Sequence, residues 1–424
     1  MASRMGSEAP LGLFEGHGIE LEYMIVDERT LDVAPIADLL IRAESGQVDE
    51  EVERGRFAWS NELARHVIEV KTNGPVASLT GLAEGFQAEL RRMEEHLAPL
   101  GARLLPTAMH PWMDAAREFE IWPHGSREIY EAFDRIFDCR GHGWANLQSA
   151  HLNLPFADDG ELARLHGAAR ALLPLMPALA ASSPCLEGRI SGYADTRLDV
   201  YATNARKVPS VSGSVVPEPI TTRADSESLL ASIYADLAPF DPAGILRHEW
   251  VNARGCIVRF DRMAVEIRLL DVQECPQADV AIAAAVTGCL KALCEPDLAR
   301  QERLRALETP RLARLLRATI RDGERAWIDD ADYLIALGQD ERPRQAAELW
   351  STLIDRDVRS QTEDTRLRSA LDVLCSEGPL SSRILRRLRT VTPAGREPSR
   401  DALECVWREL ADCLREGRMF RAEA

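Results

Sequence analysis

Apolar and polar residues alternate along the stretch GIELEYMIV, residues 18–26. Because side chains two positions apart on a β-strand point the same way, this alternation predicts a strand with one buried face. The opposite face begins with Glu20 and Glu22, whose carboxylates would lie roughly 7 Å apart. Two negative charges that close repel each other, so this face needs water or a cation beside it.

Other segments of the chain have patterns of the same two kinds. Strand-like patterns occur at residues 66–71, 102–107, 146–154, 256–260 and 263–270. Apolar residues at helical spacing predict amphipathic helices at residues 81–99, 126–138, 160–181, 225–238 and 277–294. This mixture predicts an α+β domain over residues 14–295.

Strand-like patterns fade from residue 296 onward. Charged amphipathic helices are predicted at residues 297–323, 343–356, 365–376, 379–390 and 399–416. The Pro- and Gly-containing piece 391–400 is predicted to be a loop. Residues 296–424 are therefore expected to form a helical layer on the mixed domain or a small C-terminal subdomain. Farther upstream, residues 44–56 are predicted to form a mobile acidic loop.

Four of the predicted strands have one apolar face and a short polar face. The polar positions are Glu20 and Glu22, Glu69 with Glu62 upstream of it, His151 and Asn153, and Glu266 and Arg268. Any one of these faces is ordinary for an antiparallel sheet that meets water. Together they differ from an ordinary solvated face, because carboxylates and one imidazole predominate. The combination favours a shared ligand-binding face over four separate solvated ones.

If the strands share a sheet, its polar face gathers carboxylates and an imidazole suited to divalent metal ions. The candidate metal ligands are Glu20, Glu22, Glu69, His151 and Glu266. Mg²⁺ prefers such oxygen ligands together with substrate phosphates, and Mn²⁺ also accepts imidazole. Arg268 would place positive charge beside a transferring phosphoryl group. The chain has no GxxxxGK[ST] element and no GxGxxG opening a helix, so the pattern favours ATP chemistry without a P-loop.

Composition excludes several classes of function. The net charge of −17 argues against nonspecific nucleic-acid binding, which needs a basic surface. No apolar run is long enough for a membrane span, and the first residues lack the apolar region of a secretory signal. The nine cysteines form no CxxC or zinc-like cluster, which is typical of free thiols in a reducing compartment. We therefore expect a cytoplasmic protein.

The ordered polar strands resemble a known family. GIELEYMIVD resembles the opening strand of the glutamate–cysteine ligase-like carboxylate–amine ligases, a branch of the glutamine synthetase superfamily. Their ExE strand, second glutamate strand, HxH strand, arginine-bearing segment and ExR strand have counterparts here in the same order. The counterparts are Glu20-Leu21-Glu22, Glu62 to Glu69, His151, HEWVNARG and Glu266-Ile267-Arg268. SSPCLEGRISGYADTR and LLDVQECPQADVAIAAAV are also similar to family segments, so the resemblance covers about residues 14–295.

The resemblance implies a glutamine-synthetase-like fold, with a curved, mainly antiparallel sheet and helices packed on its outer face. It implies ATP and Mg²⁺ or Mn²⁺ held by Glu20, Glu22, Glu69, His151 and Glu266, with Glu62 a weaker candidate. Arg254 and Arg268 would contact phosphates in catalysis, and Arg189 and Arg197 would lie near a substrate carboxylate or the nucleotide. The departures are Asn153 for the second His of HxH, Asn252 for an acid, and Cys185 and Leu186 for an aromatic pair.

The implied activity is ATP-dependent amide formation through an acyl phosphate, such as γ-glutamyl transfer to an amino acid or amine. Two alternatives stay open at the level of sequence. One is phosphotransfer to a small guanidino-type substrate, and the other is a non-catalytic regulatory or binding role on a ligase scaffold. The expected partners are small molecules, and a homodimer is the default assembly for a soluble enzyme.

Overall fold

The computed structural model describes residues 10–422, and these form an α+β fold. Its strands pair in antiparallel fashion. The strands are β1 (Gly18–Asp27), β2 (Glu51–Arg54), β3 (Phe57–Asn61), β4 (Val67–Thr72), β5 (Ala102–Leu105), β6 (Ser149–Pro155), β7 (Cys185–Leu186), β8 (Arg189–Ile190), β9 (Cys256–Arg259), β10 (Ala264–Asp271), β11 (Trp327–Ile328) and β12 (Arg344–Gln345).

Helices connect and cover these strands. They are α1 (Ala37–Ser45), α2 (Leu82–Leu97), α3 (Ala115–Glu118), α4 (Arg127–Phe137), α5 (His142–Ala145), α6 (Asp159–Leu172), α7 (Met176–Ala180), α8 (Thr196–Tyr201), α9 (Arg223–Leu237), α10 (Pro276–Leu293), α11 (Leu298–Ala306), α12 (Thr309–Asp322), α13 (Ala331–Ala336), α14 (Ala346–Asp357), α15 (Thr365–Glu377), α16 (Leu380–Val391) and α17 (Arg400–Glu416). No single helix within residues 10–422 is both long and apolar enough to cross a membrane, although the bent pair α10 and α11 would meet that test by length and composition.

The main sheet has the strand order β2-β3-β4-β1-β6-β10-β9, and every pairing in it is antiparallel. Strand β1 is long enough to pair with β6 along its first half and with β5 along its second half. This places β1 at the centre of the sheet. The antiparallel sheet with helices on it confirms the fold class expected from the sequence.

The apolar positions of β1 build the main hydrophobic core. Ile19, Leu21, Tyr23 and Ile25 are at most 2% exposed and share one core with residues of helices α2, α6 and α10. Burial of a side chain of this size stabilises the fold by about 1.5–3 kcal/mol. The even-numbered side chains of the same strand face the other way, and their surroundings divide that face into two parts.

Helices α16 and α17 cover one part of this second face. Met24 and Val26 of β1 are fully buried in a core that also contains Trp407 and Leu410 of α17. Glu20 and Glu22, which lie on the same face toward the start of the strand, are outside this apolar cover. The cover therefore confines the acidic residues of the face to one end of the sheet.

The C-terminal helices are packed into the same core as the mixed region. Leu312 of α12, Leu349 of α14 and Leu371 of α15 belong to the cluster that contains the strands. The boundary between the mixed domain and the C-terminal helical region at residues 295 and 296 stays a prediction. The long helix expected at residues 297–323 is two helices, since Pro310 has no N–H to donate to the carbonyl oxygen of Ala306 and therefore cannot continue the helix that ends there.

The prediction of a mobile acidic loop at residues 44–56 was wrong. Helix α1 extends to Ser45, and residues 51–54 form the edge strand β2, paired with β3. Arg54 forms ion pairs with Glu44 and Glu89, and Lys71 pairs with Glu51. These cations neutralise acidic side chains of this segment and allow β2 to pair with β3. An edge strand has little buried surface, so it lacks the apolar alternation by which strands are recognised.

Candidate functional site

Register across four neighbouring strands brings the acidic residues to one face. Glu22 lies opposite Glu69, Glu20 lies opposite His151, and Glu266 lies opposite Asn153. Directly opposed residues of antiparallel strands project their side chains to the same side of the sheet. The structure therefore places the five predicted metal ligands side by side. They line one cavity of about 470 Å³ together with Glu62 and Ser60.

The five residues form two adjacent groups that share one imidazole. Glu20, His151 and Glu266 form the first group, and Glu22, Glu69 and His151 form the second. Within each group, one ligand atom from every residue lies within 4.8 Å of the others. Carboxylate oxygens with an imidazole nitrogen are a ligand set that Mg²⁺ and Mn²⁺ accept. The geometry thus fits two neighbouring divalent ions.

Asn153 lies beside the first group. Its side-chain nitrogen donates a hydrogen bond of 3.2 Å to Glu20 Oε1, while its buried Oδ1 has no hydrogen-bond partner within residues 10–422. A buried amide oxygen without a partner costs free energy that a metal ion or its bound water would recover. The substitution of His by Asn in the HxH pattern is therefore compatible with a metal site.

Cations surround the acidic groups, and the sequence analysis identified only some of them. Arg259 donates to Glu266 at 2.9 Å, and Arg268 donates to the other oxygen of the same carboxylate. Arg262 lies 3.1 Å from Glu20, and Lys71 lies 3.0 Å from Glu69. Lys71, Arg259 and Arg262 line the same cavity and were missed. One signal was available for Lys71, which follows Glu69 by two residues and so shares its strand face.

The charges on this face shift the pKa of His151. Burial favours its neutral form, but a hydrogen bond to Glu20 and the charges of Glu22, Glu20 and Glu266 outweigh burial and raise the pKa to about 9. Nδ1 of the ring lies 2.9 Å from Glu20 Oε2, and Nε2 lies 2.9 Å from Ser149 Oγ. Without metal, His151 is therefore an imidazolium that neutralises part of the acidic charge.

The pKa values of the carboxylates shift in opposite directions. Burial opposes ionisation of Glu20, but the hydrogen bond and charge of His151 hold its pKa well below the usual value. Burial raises the pKa of Glu62 well above its usual value, and the nearby charges of Glu22 and Glu69 add to this shift. Burial also raises the pKa of Glu22. Burial therefore opposes ionisation of Glu22 and Glu62, and a metal ion bound beside them would favour their charged forms.

Stability without metal should depend on pH through His151. Its pKa is raised in the folded state, so its contribution is complete below about pH 6.5 and is lost as pH rises through about 9. We expect the free energy of unfolding, measured by urea denaturation in EDTA, to fall across this range by on the order of 3 kcal/mol more than in His151→Gln. An identical pH dependence in the two proteins would contradict the assigned charge of His151.

A second cavity, of about 240 Å³, adjoins the acidic face. The two cavities share Glu22, Glu62, Tyr130, His151, Trp250 and Arg268 as lining residues. Away from these shared residues, the smaller cavity is lined mainly by aromatic and aliphatic side chains, among them Phe133, Trp144 and Tyr201. We call it the aromatic cavity. It opens next to the two metal-ligand groups.

The four predicted arginines occupy different positions. Arg268 lines both cavities, and Arg197 lines the aromatic cavity while pairing with buried Asp271. Arg254 is buried in an ion pair with Glu218 and hydrogen bonds to Asn252. Arg189 is exposed on β8 and pairs with Glu187. The structure therefore brings Arg197 and Arg268 to the candidate site, and the roles of Arg254 and Arg189 stay predictions.

Known proteins with similar sequences or folds point to one family. The family model described as glutamate-cysteine ligase family 2 matches residues 17–409. A protein of Archaeoglobus fulgidus without an assigned function is 33% identical over 404 residues, which cover 95% of this chain and 99% of the relative. A protein of Rubrobacter xylanophilus, with the provisional name of glutamate–cysteine ligase 2-3, is 29% identical over 207 residues, 47% of this chain and 51% of its own length.

A solved structure extends the similarity to the fold. The crystal structure of a glutamate–cysteine ligase from Francisella tularensis in complex with AMP superimposes with a TM-score of 0.57 at 13% identity. The match covers 96% of this chain and 90% of that one. At this identity the likeness establishes the fold alone, and it confirms the glutamine-synthetase-like architecture expected from the sequence. With a family match over nearly the whole described chain, the protein belongs to the glutamate–cysteine ligase family 2.

Proposed function

We propose that this protein is an ATP-dependent carboxylate–amine ligase that forms an amide through an acyl phosphate, as in γ-glutamyl transfer to an amino acid or amine. The observation that carries the proposal is the convergence of Glu20, Glu22, Glu69, His151 and Glu266 on one sheet face. The arginines beside these acids and the family membership support it. Divalent ions held by the two groups would neutralise phosphate charge and orient the nucleotide.

The reaction has two balanced steps. A carboxylate oxygen of the first substrate bonds to the γ-phosphorus of ATP, and ADP leaves. The amine nitrogen then bonds to the acyl carbon, its surplus protons pass to solvent, and inorganic phosphate leaves. No covalent enzyme intermediate is required, so the task of the protein is positioning and charge neutralisation.

The side chains of the cavity suit these tasks. Arg268 and Arg259 hold both oxygens of Glu266, which orients this carboxylate and provides positive charge beside the metal-ligand groups that a phosphate could meet. Arg262 is 48% exposed on the turn between β9 and β10, so it can move toward a bound polyphosphate. Ser60 Oγ donates to Glu69 at 2.7 Å and orients it in the same way.

The direct test is phosphate release measured with Mg-ATP, a panel of carboxylates beginning with L-glutamate, and a panel of amines that includes cysteine. We expect release that depends on both a carboxylate and an amine, with ADP, phosphate and amide formed in equal amounts. Mg-ATP alone, at about 100 times its dissociation constant, should add about 2.7 kcal/mol of apparent stability in a thermal-shift assay.

Two outcomes of this test would contradict the proposal. Protein that binds Mg-ATP but releases no amine-dependent phosphate with any carboxylate would not be a ligase of this kind. A product that retains the phosphate would instead identify a phosphotransferase.

The Glu69→Gln variant, which removes one charge from the second metal group, should bind Mg-ATP more weakly than the unmodified protein.

The state of the cysteines supports a reducing compartment. All nine cysteines are free, and seven of them are buried. Free thiols persist in the reducing cytoplasm, where glutathione and thioredoxin keep them reduced. We therefore propose a cytoplasmic site of action, and the homodimer stays a prediction.

A further inference from the structure

A cavity of about 310 Å³ lies away from the candidate site, on the helix-covered side of the sheet. Its walls come from α10, the start of α15, residues 77–80 and the segment that precedes β1. Within residues 10–422, none of its lining residues also lines the acidic face or the aromatic cavity. We call it the helix-side cavity. Sites for small molecules commonly measure about 300–1,000 Å³, so this volume suits a ligand of amino-acid size better than a nucleotide.

The wall formed by α10 contains a hydroxyl without a hydrogen-bond partner. Thr287 is 8% exposed, and its Oγ1 has no partner within the described part of the chain. A threonine inside a helix can bond to the carbonyl oxygen four residues earlier, but Thr287 does not. A buried hydroxyl without a partner costs free energy, which a hydrogen bond to a ligand would recover.

His17 presents a hydrogen-bond acceptor to the same cavity. Its Nδ1 lies 3.3 Å from the carbonyl oxygen of Val76, which can only accept, so Nδ1 carries a hydrogen. Burial lowers the pKa of His17 despite this hydrogen bond, and the charge of Lys291 adds to the shift, so the ring is neutral at pH 7. Its Nε2 is then an acceptor to which no protein group within residues 10–422 donates. Thr287 and His17 together suit a ligand group that both accepts and donates, such as a primary amide.

Two opposite charges stand at the rim of the helix-side cavity. Lys291 lies one helical turn beyond Thr287 on α10, and Glu363 lies two residues before α15. Neither side chain forms an ion pair among residues 10–422. A phosphate bound here would meet the carboxylate, and a simple cation would meet the lysine. One charge of each sign is instead complementary to a zwitterion.

We propose that the helix-side cavity binds a free α-amino acid with a side-chain amide, namely glutamine or asparagine. Its carboxylate lies at Lys291, its ammonium at Glu363 and its amide between Thr287 and His17, while its methylene groups contact the apolar wall to which Leu367 contributes. The inference goes beyond the proposed function and does not depend on it, because no residue of the metal-ligand groups takes part.

The same side chains distinguish glutamine from amino acids of similar length. The carboxylate of glutamate offers no hydrogen to His17 Nε2. Methionine has neither an oxygen for the Thr287 hydroxyl nor a hydrogen for His17. A site that hydrogen-bonds a polar group rejects analogues without that group, because its own buried polar atoms are then left unpaired.

The test is isothermal titration calorimetry of the whole protein in EDTA, without nucleotide. We expect L-glutamine to bind at least about tenfold more tightly than L-glutamate or L-methionine, since each of these leaves a polar atom of the cavity unpaired. Glutaramic acid, which is glutamine without its ammonium, should bind at least about fivefold more weakly than glutamine. The absence of binding by both amides, or equal binding of glutamine and methionine, would overturn the inference.

Thr287→Val removes the hydroxyl and keeps the shape of the side chain. It should weaken glutamine binding about tenfold and change methionine binding less than about twofold. Because the hydroxyl has no partner in the ligand-free protein, the urea midpoint of the variant should not fall. A lower midpoint would give the hydroxyl a structural role and overturn its assignment to the ligand.

Lys291→Met tests the carboxylate position. It should weaken the binding of glutamine and asparagine about tenfold. Lys207→Met is the matched control, because Lys207 is another exposed lysine that lies over the Phe240 ring outside the cavity. This control should change the affinity for glutamine less than about twofold.

The inference and the proposed function fail in different ways. Glutamine binding that is unchanged in both Thr287→Val and Lys291→Met would place the amino acid elsewhere on the protein and overturn the inference. Ligation by a protein whose helix-side cavity binds neither amide would leave the proposed function in place. Glutamine binding at this cavity, in protein that binds Mg-ATP but forms no amide, would support the inference and overturn the proposed function.

Discussion

Replacing His151 with alanine is expected to lower the rate of ATP-dependent ligation about a thousandfold. His151 is the one residue common to both metal-ligand groups among the described residues, so its removal weakens both at once. Loss of a single preorganised electrostatic contact commonly costs about 10²–10³ in rate. The rate is measured as amine-dependent phosphate release at saturating ATP and Mg²⁺ or Mn²⁺, after circular dichroism has shown that the variant is folded.

His124→Ala is the matched control for this substitution. His124 pairs with Asp38, away from the acidic face, and its side chain is 36% exposed. Its removal should leave the ligation rate within about twofold of the unmodified protein. If His151→Ala retained more than about a tenth of the activity, the two groups would not hold the metal ions on which the proposed reaction depends.

The largest expected loss of stability follows the removal of a buried charge outside the site. Arg383 of α16 and Glu274, which follows β10, form an ion pair in which both side chains are fully buried. Arg383 also donates to the carbonyl oxygen of Phe420 at 2.6 Å. Arg383→Ala leaves Glu274 buried without its cation, so the free energy of unfolding should fall by about 3–5 kcal/mol, as measured by urea denaturation.

Arg389→Ala provides the comparison on the same helix. Arg389 is exposed in the last turn of α16, and its removal should change the free energy of unfolding by less than about 0.5 kcal/mol. The double variant Glu274→Gln with Arg383→Met should lose less stability than Arg383→Ala, since no unpaired charge remains. Equal losses in Arg383→Ala and Arg389→Ala would show that the buried pair does not join the C-terminal helices to the sheet.

The sequence predicted the part of the site that lies on regular, half-buried strands. Glu20, Glu69, His151 and Glu266 each stand in a strand whose other face is apolar, so alternation alone shows that they point away from the core. The strands that contain them were expected within two residues at most ends, except for the start of the His151 strand. The resemblance to the ligases then supplied the order of the strands and the expectation that they meet.

The remaining parts depend on tertiary structure. Strands β2 and β3 were not predicted, because β2 is a charged edge strand and β3 is buried along its whole length without regular apolar–polar alternation. Arg259 and Arg262 enter the site through the register of β9 against β10, which no local pattern indicates. Glu62 was expected as a weaker metal ligand, and the structure leaves it outside both groups while placing it at the aromatic cavity.

The confinement of the acidic face also has a tertiary cause. Strand β1 presents Glu20 and Glu22 followed by Met24 and Val26 on the same face, and the sequence shows this change in polarity. It does not show that Trp407 and its neighbours on α17, almost four hundred residues later, cover the apolar half. The C-terminal helices thereby close one end of the sheet and leave the other end for ligands.

Counting Mn²⁺ ions tests the central claim most directly. In the presence of a non-hydrolysable ATP analogue, two Mn²⁺ ions should bind per chain, and their electron paramagnetic resonance spectrum should show spin coupling, because the two ligand groups are adjacent on one sheet face. The combined variant Glu22→Gln with Glu266→Gln, one residue from each group, should lose both ions. A single uncoupled ion, or unchanged binding in this variant, would contradict the account.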